Sequence, residues 1–118
     1  MKILAPDSIA YQKALAFARR IVYLCRHLNK EHQEYTLSKQ ILRSGTSIGA
    51  NIAEARCGYS RKDFSAKIYI ALKECAETLY WLELLYTTEY LSQDEYTSLY
   101  NDCEALRRIL SATTKSVR

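Results

Sequence analysis

The sequence is poor in the residues that interrupt helices, proline and glycine, and in histidine, the commonest metal ligand. Its 118 residues include one proline, three glycines and two histidines. Because the proline lies at position 6, ahead of every predicted helix, the rest of the chain has no proline to break a helix. No run of eighteen apolar residues occurs, which excludes a membrane-spanning helix. The sequence therefore predicts a helical domain with no membrane segment.

The four cysteines lack the Cys-x-x-Cys spacing of a redox or zinc site. Cys25, Cys75 and Cys103 share helix faces with leucines, so each is interpreted as a small buried apolar residue, whereas Cys57 lies where a helix ends. The N-terminus reaches a proline and an acidic residue before the core of a signal peptide could form. We expect reduced thiols and a cytoplasmic protein without cofactor or metal, a redox or zinc role being the alternative.

Apolar residues recur at helical spacing in four segments, at about 8–29, 37–57, 61–87 and 93–113. Candidate capping residues precede each segment, namely Asp7 or Ser8, then Thr36, then Ser60 with Asp63, and finally Ser92 with Glu95. Gly58 is expected to close the second helix. Short connections force successive helices to run in opposite directions. The prediction is one all-α domain over residues 1–118, an antiparallel up-down-up-down four-helix bundle.

The second helix contains a segment, Ser44–Ala55, with few large or charged residues. Small residues occupy every fourth position of it, at Gly45, Gly49 and Ala53. A glycine inside a helix costs roughly 1 kcal/mol relative to alanine, so the close approach of another helix is expected to offset the two glycines. This segment is interpreted first as a packing surface.

Asn51 and Glu54 form the polar shoulder of the same helix, and Glu54 is expected to pair with Lys67 or Lys73. Two interpretations stay open. One is a buried hydrogen-bond and ion-pair network that fixes helix register and subunit orientation. The other is a site for a small molecule, an ion or a nucleotide at a subunit junction.

Several short motifs connect the second and third helices to a known family. They are the Ser44–Ala55 segment, Asp63-Phe64, Lys67, Ile70-Ala71-Leu72-Lys73-Glu74, Glu77-Thr78, Tyr80-Trp81-Leu82 and Leu84-Leu85. In order and spacing they resemble bacterial four-helix-bundle proteins related to those encoded by intervening sequences of 23S rRNA genes, also called S23 ribosomal proteins. The resemblance implies a small homopentamer with a basic surface. A related branch resembles the accessory protein of diversity-generating retroelements.

The third helix has a second apolar face, formed by Ile70, Trp81 and Leu84 opposite Leu72 and Leu79. In a monomeric bundle each helix needs only one apolar face, and the second would be exposed to water. A homo-oligomer that covers this face is therefore predicted, and the family resemblance implies a pentameric ring. The alternative is that wide apolar stripes wrap a thick core. The residues assigned to the oligomer interface or to helix register are Gly45, Gly49, Asn51, Ala53, Glu54, Ile70 and Trp81.

Positive charge is concentrated in the first half of the chain. Residues 1–60 contain nine Lys and Arg against four Asp and Glu, whereas residues 61–118 contain eight against nine. Cations recur along an exposed stripe of the first helix and surround one tyrosine, and such a face can neutralise phosphates without reading sequence. The candidate nucleic-acid-binding residues are Lys13, Arg19, Arg20, Tyr23, Arg26 and Lys30. The alternative is an ordinary solvated helix face, since the net charge of +4 is modest.

No catalytic motif is evident. Neither histidine follows a glutamate by three residues, as di-iron bundles require, and Gly45–Gly49 lacks the lysine of a phosphate-binding loop. The predicted function is therefore that of a non-enzymatic homo-oligomer that binds RNA or DNA non-specifically. The alternative is an interaction scaffold or accessory subunit, which presents tyrosines and acidic patches of the third and fourth helices to a protein partner.

Overall fold

The computed structural model describes residues 8–116, which form four α-helices and no strand. The helices are α1 (Ile9–His32), α2 (Thr36–Ala55), α3 (Arg61–Thr87) and α4 (Gln93–Ser116). The prediction of an all-α, four-helix protein is confirmed. α1 and α4 extend about one turn beyond their predicted ends at 29 and 113. Asp7, a candidate cap, lies outside the described residues.

Each helix packs against two others, so that the four surround one apolar core. α1 contacts α2, α2 contacts α3, α3 contacts α4, and α4 returns to α1, which is the loosest of the four pairs. The largest fully buried side chains are Phe17, Ile21, Leu28, Ile41, Ile48, Ile52, Phe64, Ile68, Leu82, Leu85, Leu106 and Leu110. Within residues 8–116, no helix combines the length and the apolar character needed to cross a bilayer.

Three serine caps occur as the sequence predicts. The hydroxyl oxygens of Ser8 and Ser60 each accept the backbone N–H of the residue three positions later, at 3.2 and 3.1 Å. Ser92 and Glu95 form a reciprocal capping box, in which the Ser92 hydroxyl accepts the Glu95 N–H at 3.1 Å and the Glu95 carboxylate accepts the Ser92 N–H at 2.9 Å. These contacts fix where α1, α3 and α4 begin.

The predicted cap of α2 is wrong. Thr36 is already inside the helix, and the carboxylate of Glu34 accepts the backbone N–H groups of Thr36, Leu37 and Ser38 at 3.2, 2.9 and 2.8 Å. The longer glutamate side chain reaches these donors from outside the first turn, so one carboxylate satisfies three N–H groups that have no partner within the helix.

The predicted role of Gly58 is also wrong. α2 ends at Ala55, and Gly58 does not adopt the positive φ of a C-terminal glycine. Its N–H donates to the Ala55 carbonyl oxygen at 3.1 Å, and a Cβ at this position would lie 3.3 Å from the backbone nitrogen of Phe64. The glycine therefore makes room for the tight connection between α2 and α3.

The small residues of α2 lie against α1 of the same chain. A Cβ added to Gly45 would lie 2.9 Å from Cγ1 of Ile21, and one added to Gly49 would lie 3.5 Å from Cβ of Ala14. Both distances show a close approach of the two helices. The packing surface expected from the glycines is thus present within one chain.

Three of the four free cysteines, Cys25, Cys75 and Cys103, are buried as predicted, and Cys57 is exposed. Burial, reinforced by the nearby charge of Glu34, raises the pKa of the Cys25 thiol to about 11. The Cys25 thiol is therefore a neutral packing group at physiological pH.

Candidate nucleic-acid interface

The outer face of α1 carries the positive charge of the molecule. The helix contains five Lys or Arg residues and one acidic residue, so its formal charge of +4 equals that of the whole chain. Its inner face is apolar, and the residues buried there are Ala10, Ala14, Phe17, Ile21, Leu24, Cys25 and Leu28. Burial of that stripe turns the cations toward solvent.

Four of the six predicted nucleic-acid-binding residues are unneutralised cations. Lys13, Arg19, Arg26 and Lys30 are exposed, and none of them forms an ion pair with any residue in the range 8–116. Several cations on the other helices do have carboxylate partners, as the Lys67–Glu54 pair at 2.8 Å illustrates.

Arg20, the fifth predicted cation, is held by α4. Its guanidinium donates to the Asp102 carboxylate at 2.6 Å and to the Ser98 hydroxyl at 3.0 Å. The pair neutralises Arg20 and ties α1 to α4 across their loosely packed seam. Arg20 is consequently the least available of the five cations for a phosphate.

Tyr23 lies among these cations and is 63% exposed. The Arg26 guanidinium carbon lies 5.6 Å from the centre of its ring, within the range of a cation–π contact. The contact orders both side chains at the surface of α1. An aromatic face and a positive charge are thereby presented together.

A groove follows the seam between α1 and α4 beside Tyr23. Its volume is about 290 Å³. The residues that line it are Arg20, Tyr23, Leu24, His27, Leu91, Glu95 and Leu99. A second depression of about 170 Å³ continues along the same seam and is lined by Lys13, Ala16, Phe17, Asp102 and Ala105. Apolar periodicity does not predict this groove, because its existence depends on the distance between two helices.

Glu95 supplies the carboxylate of the groove. The hydrogen bond from the Ser92 backbone, together with the Ser92 hydroxyl and the nearby charge of His27, lowers the pKa of Glu95 below its usual value despite partial burial. The group is therefore an ionised hydrogen-bond acceptor at neutral pH.

The polar shoulder of α2 does not form one network. The buried Asn51 side chain donates to the Ser47 carbonyl oxygen at 2.8 Å and to the Ser47 hydroxyl at 3.2 Å, within its own helix. Glu54 pairs with Lys67 of α3, as predicted, at a surface where both side chains are partly exposed. Ala53 borders two shallow depressions. One lies between α2 and α3, and the other lies between α1 and α2.

The two predicted interface residues of α3 differ in exposure. Ile70 is 42% exposed, whereas Trp81 is half-buried against the core and donates its indole N–H to Glu77 at 3.0 Å. Glu77 also binds Arg43, which reaches Glu74 at 3.2 Å as well. Apolar periodicity does not predict this Arg43 cluster, because it joins a cation of α2 to carboxylates of α3 that are more than thirty residues away in sequence.

Within the described part of the chain, no group of three or more His, Cys, Asp or Glu side chains is placed to hold a metal ion.

The chain matches the model of a protein family described as 23S rRNA-intervening sequence protein, over residues 6–112. It belongs to this family. Among solved structures, the chain is similar to a crystal structure from Bacteroides thetaiotaomicron VPI-5482, a protein of unknown function from the S23 ribosomal protein family. The two are 51% identical, the match covers 91% of this chain and 99% of the other, and the TM-score is 0.90. No curated protein matches the chain.

The match to the 23S rRNA-intervening sequence proteins includes the whole basic face of α1 and the groove beside it. The family assignment predicted from the motifs of α2 and α3 is confirmed. It extends further along the chain than those motifs, into α1 and most of α4.

Proposed function

We propose that this protein is a non-enzymatic, cytoplasmic homo-oligomer that binds RNA or DNA non-specifically through the outer face of α1. The observation that carries the proposal is the set of exposed α1 cations, which find no carboxylate among residues 8–116. Free cations on one face attract a polyanion and release its counterions, whereas paired cations contribute little. The family name, which refers to an rRNA gene, adds support.

Each candidate residue has a part in this proposal. Arg19, Arg26 and Lys30 contact phosphates, and Lys13 extends the contact toward the N-terminal end of α1. Tyr23 presents an aromatic ring between them. Arg20 holds α4 in place through Asp102.

The proposal includes an antiparallel up-down-up-down bundle. Contacts along the α1–α2 seam support this order, because the α1 partner moves toward its N-terminus as α2 advances. The Cys25 thiol donates to the Ser38 backbone carbonyl oxygen at 3.2 Å, and Gly49, further along α2, lies against Ala14. Connections of only a few residues support the same arrangement.

The proposed oligomer is a ring of five copies. Exposed apolar side chains support association, and they include Leu15, Leu42 and Ile70 at 37%, 38% and 42% exposure. Leu15 also lines a shallow groove between α1 and α2, together with Ala50 and Ala53. Measurement of the native mass tests this step, and a monomer at micromolar concentration contradicts it.

The decisive experiment is a salt titration of binding to a structured RNA and to a DNA duplex, followed by fluorescence anisotropy. The Arg19→Gln/Arg26→Gln protein should bind more weakly to both, and the slope of log affinity against log salt should fall by about 2. The matched control is Arg61→Gln/Lys62→Gln, which removes two exposed cations from α3 instead. Equal losses in the two double variants would refute a specific role of α1.

A scaffold or accessory subunit without nucleic-acid binding is the second candidate. The observation in its favour is a row of exposed side chains on α3, Tyr69, Ile70 and Tyr80, which are 42% to 57% exposed. If the intact oligomer binds neither RNA nor DNA at low salt, this second function replaces the first.

A further inference from the structure

We infer that the groove between α1 and α4 holds an unpaired nucleobase of a single-stranded RNA or DNA, with Tyr23 as the stacking surface. This inference rests on the proposed function, because the α1 cations must first hold the phosphates of the strand. It goes further in assigning a preferred form of nucleic acid and a base-binding site.

The floor of the groove suits the flat face of a base. Leu24, Leu91 and Leu99 line it, and they are 8%, 4% and 5% exposed, so the floor is apolar. A phosphate gains nothing from such a floor, whereas a base buries apolar surface on it. The ion pair between Arg20, which also lines the groove, and Asp102 spans the seam between the two helices.

Tyr23 provides the stacking surface at the rim. Its ring is 63% exposed, and the Arg26 guanidinium lies on it at 5.6 Å. Proteins that bind single strands combine an aromatic platform with adjacent cations, because each base has a π face and each nucleotide a phosphate. Tyr23 and Arg26 offer these two groups on neighbouring turns of one helix.

Glu95 gives the groove a preference among bases. One of its oxygens accepts the Ser92 N–H at 2.9 Å, and the carboxylate is an acceptor without a proton to donate. Amino groups of cytosine, adenine and guanine can donate to it, whereas the only ring donor of uracil and thymine, the N3–H, lies between two carbonyl oxygens that repel a carboxylate. We therefore expect strands rich in cytosine to bind more tightly than strands rich in uracil or thymine.

The stacking is tested with a Tyr23→Ala variant and single strands of about 12 nucleotides, at low salt. The variant should bind the single strand about tenfold more weakly and should bind a duplex as the natural protein does. Tyr23→Phe keeps the ring and should keep the affinity. The matched control is Tyr69→Ala, since Tyr69 is an exposed tyrosine of α3, away from the groove.

Base preference is tested with Glu95→Gln, which preserves the capping box because glutamine serves in the same position. The natural protein should favour a cytosine strand over a uracil or thymine strand, and the variant should lose most of that difference, since an amide can also donate to a carbonyl oxygen. RNA and DNA strands of matched sequence are titrated in parallel. The loss of affinity caused by Tyr23→Ala should be seen with RNA, with DNA or with both, according to which of them the natural protein binds.

The two proposals fail in different ways. If no nucleic acid binds at low salt, both the proposed function and the inference of a base-binding groove are refuted. If strands bind with a steep salt dependence but Tyr23→Ala and Tyr69→Ala behave alike, the α1 face still binds phosphates and the groove inference is overturned. The groove would then be free for a peptide.

Discussion

Gly45 of α2 lies so close to Ile21 of α1 that a Cβ atom on the glycine would be 2.9 Å from Ile21 Cγ1. Ile21 is fully buried, and its branched side chain has no free space into which to move. One turn later Gly49 has more room, because its Cβ would meet Ala14 at an ordinary contact distance of 3.5 Å. The two glycines therefore differ in their tolerance of a methyl group.

This difference gives the first prediction. Gly45→Ala should lower the free energy of unfolding by about 1 kcal/mol, because overpacking outweighs the gain in helix propensity. Gly49→Ala should raise it by about 0.5–1 kcal/mol, because only the gain remains. Urea unfolding of both variants measures the two values. Equal stability of the two would show that α1 moves aside without penalty.

The start of α2 gives the second prediction. Glu34→Ala removes the acceptor of three backbone N–H groups and should cost about 1 kcal/mol of unfolding free energy. Thr36→Ala, at the position that the sequence suggested as the cap, should change stability by less than about 0.5 kcal/mol. Thermal and urea unfolding distinguish them, and a larger loss for Thr36→Ala would contradict the structure.

The third prediction concerns two buried hydroxyl groups at the α2–α3 seam. The Thr78 hydroxyl lies 2.9 Å from that of Ser44, and both residues are fully buried. Ser44→Ala and Thr78→Val should each cost about 1 kcal/mol, since each removes one partner of a buried hydrogen bond. The double variant should cost less than the sum, by about 0.5 kcal/mol or more. Strict additivity would mean that the hydroxyls do not interact.

The fourth prediction concerns acid stability. Because the folded protein lowers the pKa of Glu95, the unfolded chain takes up this proton first as the pH falls. The stabilisation is present above the ordinary glutamate pKa and is lost as the pH falls through the lowered value. From about pH 6 to about pH 3, the natural protein should therefore lose more stability than Glu95→Gln, which cannot titrate. Parallel plots of unfolding free energy against pH for the two proteins would contradict this prediction.

Much of the fold follows from the spacing of apolar residues. Apolar residues at helical spacing in α1, such as Phe17, Ile21 and Leu28, are buried, and α3 has the bounds 61–87 that the spacing predicts. Long amphipathic helices with serine caps leave little choice of conformation, because burial and capping favour the same ends.

The features that the sequence does not predict depend on contacts that local apolar spacing does not describe. Thr36 is of a residue type that often caps helices, but the carboxylate of Glu34 accepts the backbone N–H groups at the start of α2. Periodicity places Trp81 on a second face of α3 but does not predict that its indole N–H donates to Glu77, and its assignment to the oligomer interface stays a prediction. The groove at Tyr23 and the Arg20–Asp102 pair depend on the separation of two helices far apart in sequence, which periodicity does not specify.

The charge of α1 also has an effect before any contact forms. Because one helix carries a charge equal to the net charge of the molecule, the protein has a strong electrical asymmetry as well as a positive sign. A polyanion at a distance of about one Debye length, roughly 10 Å in 0.1 M salt, exerts a torque on it. A single subunit is therefore turned with α1 toward the polyanion before the two touch.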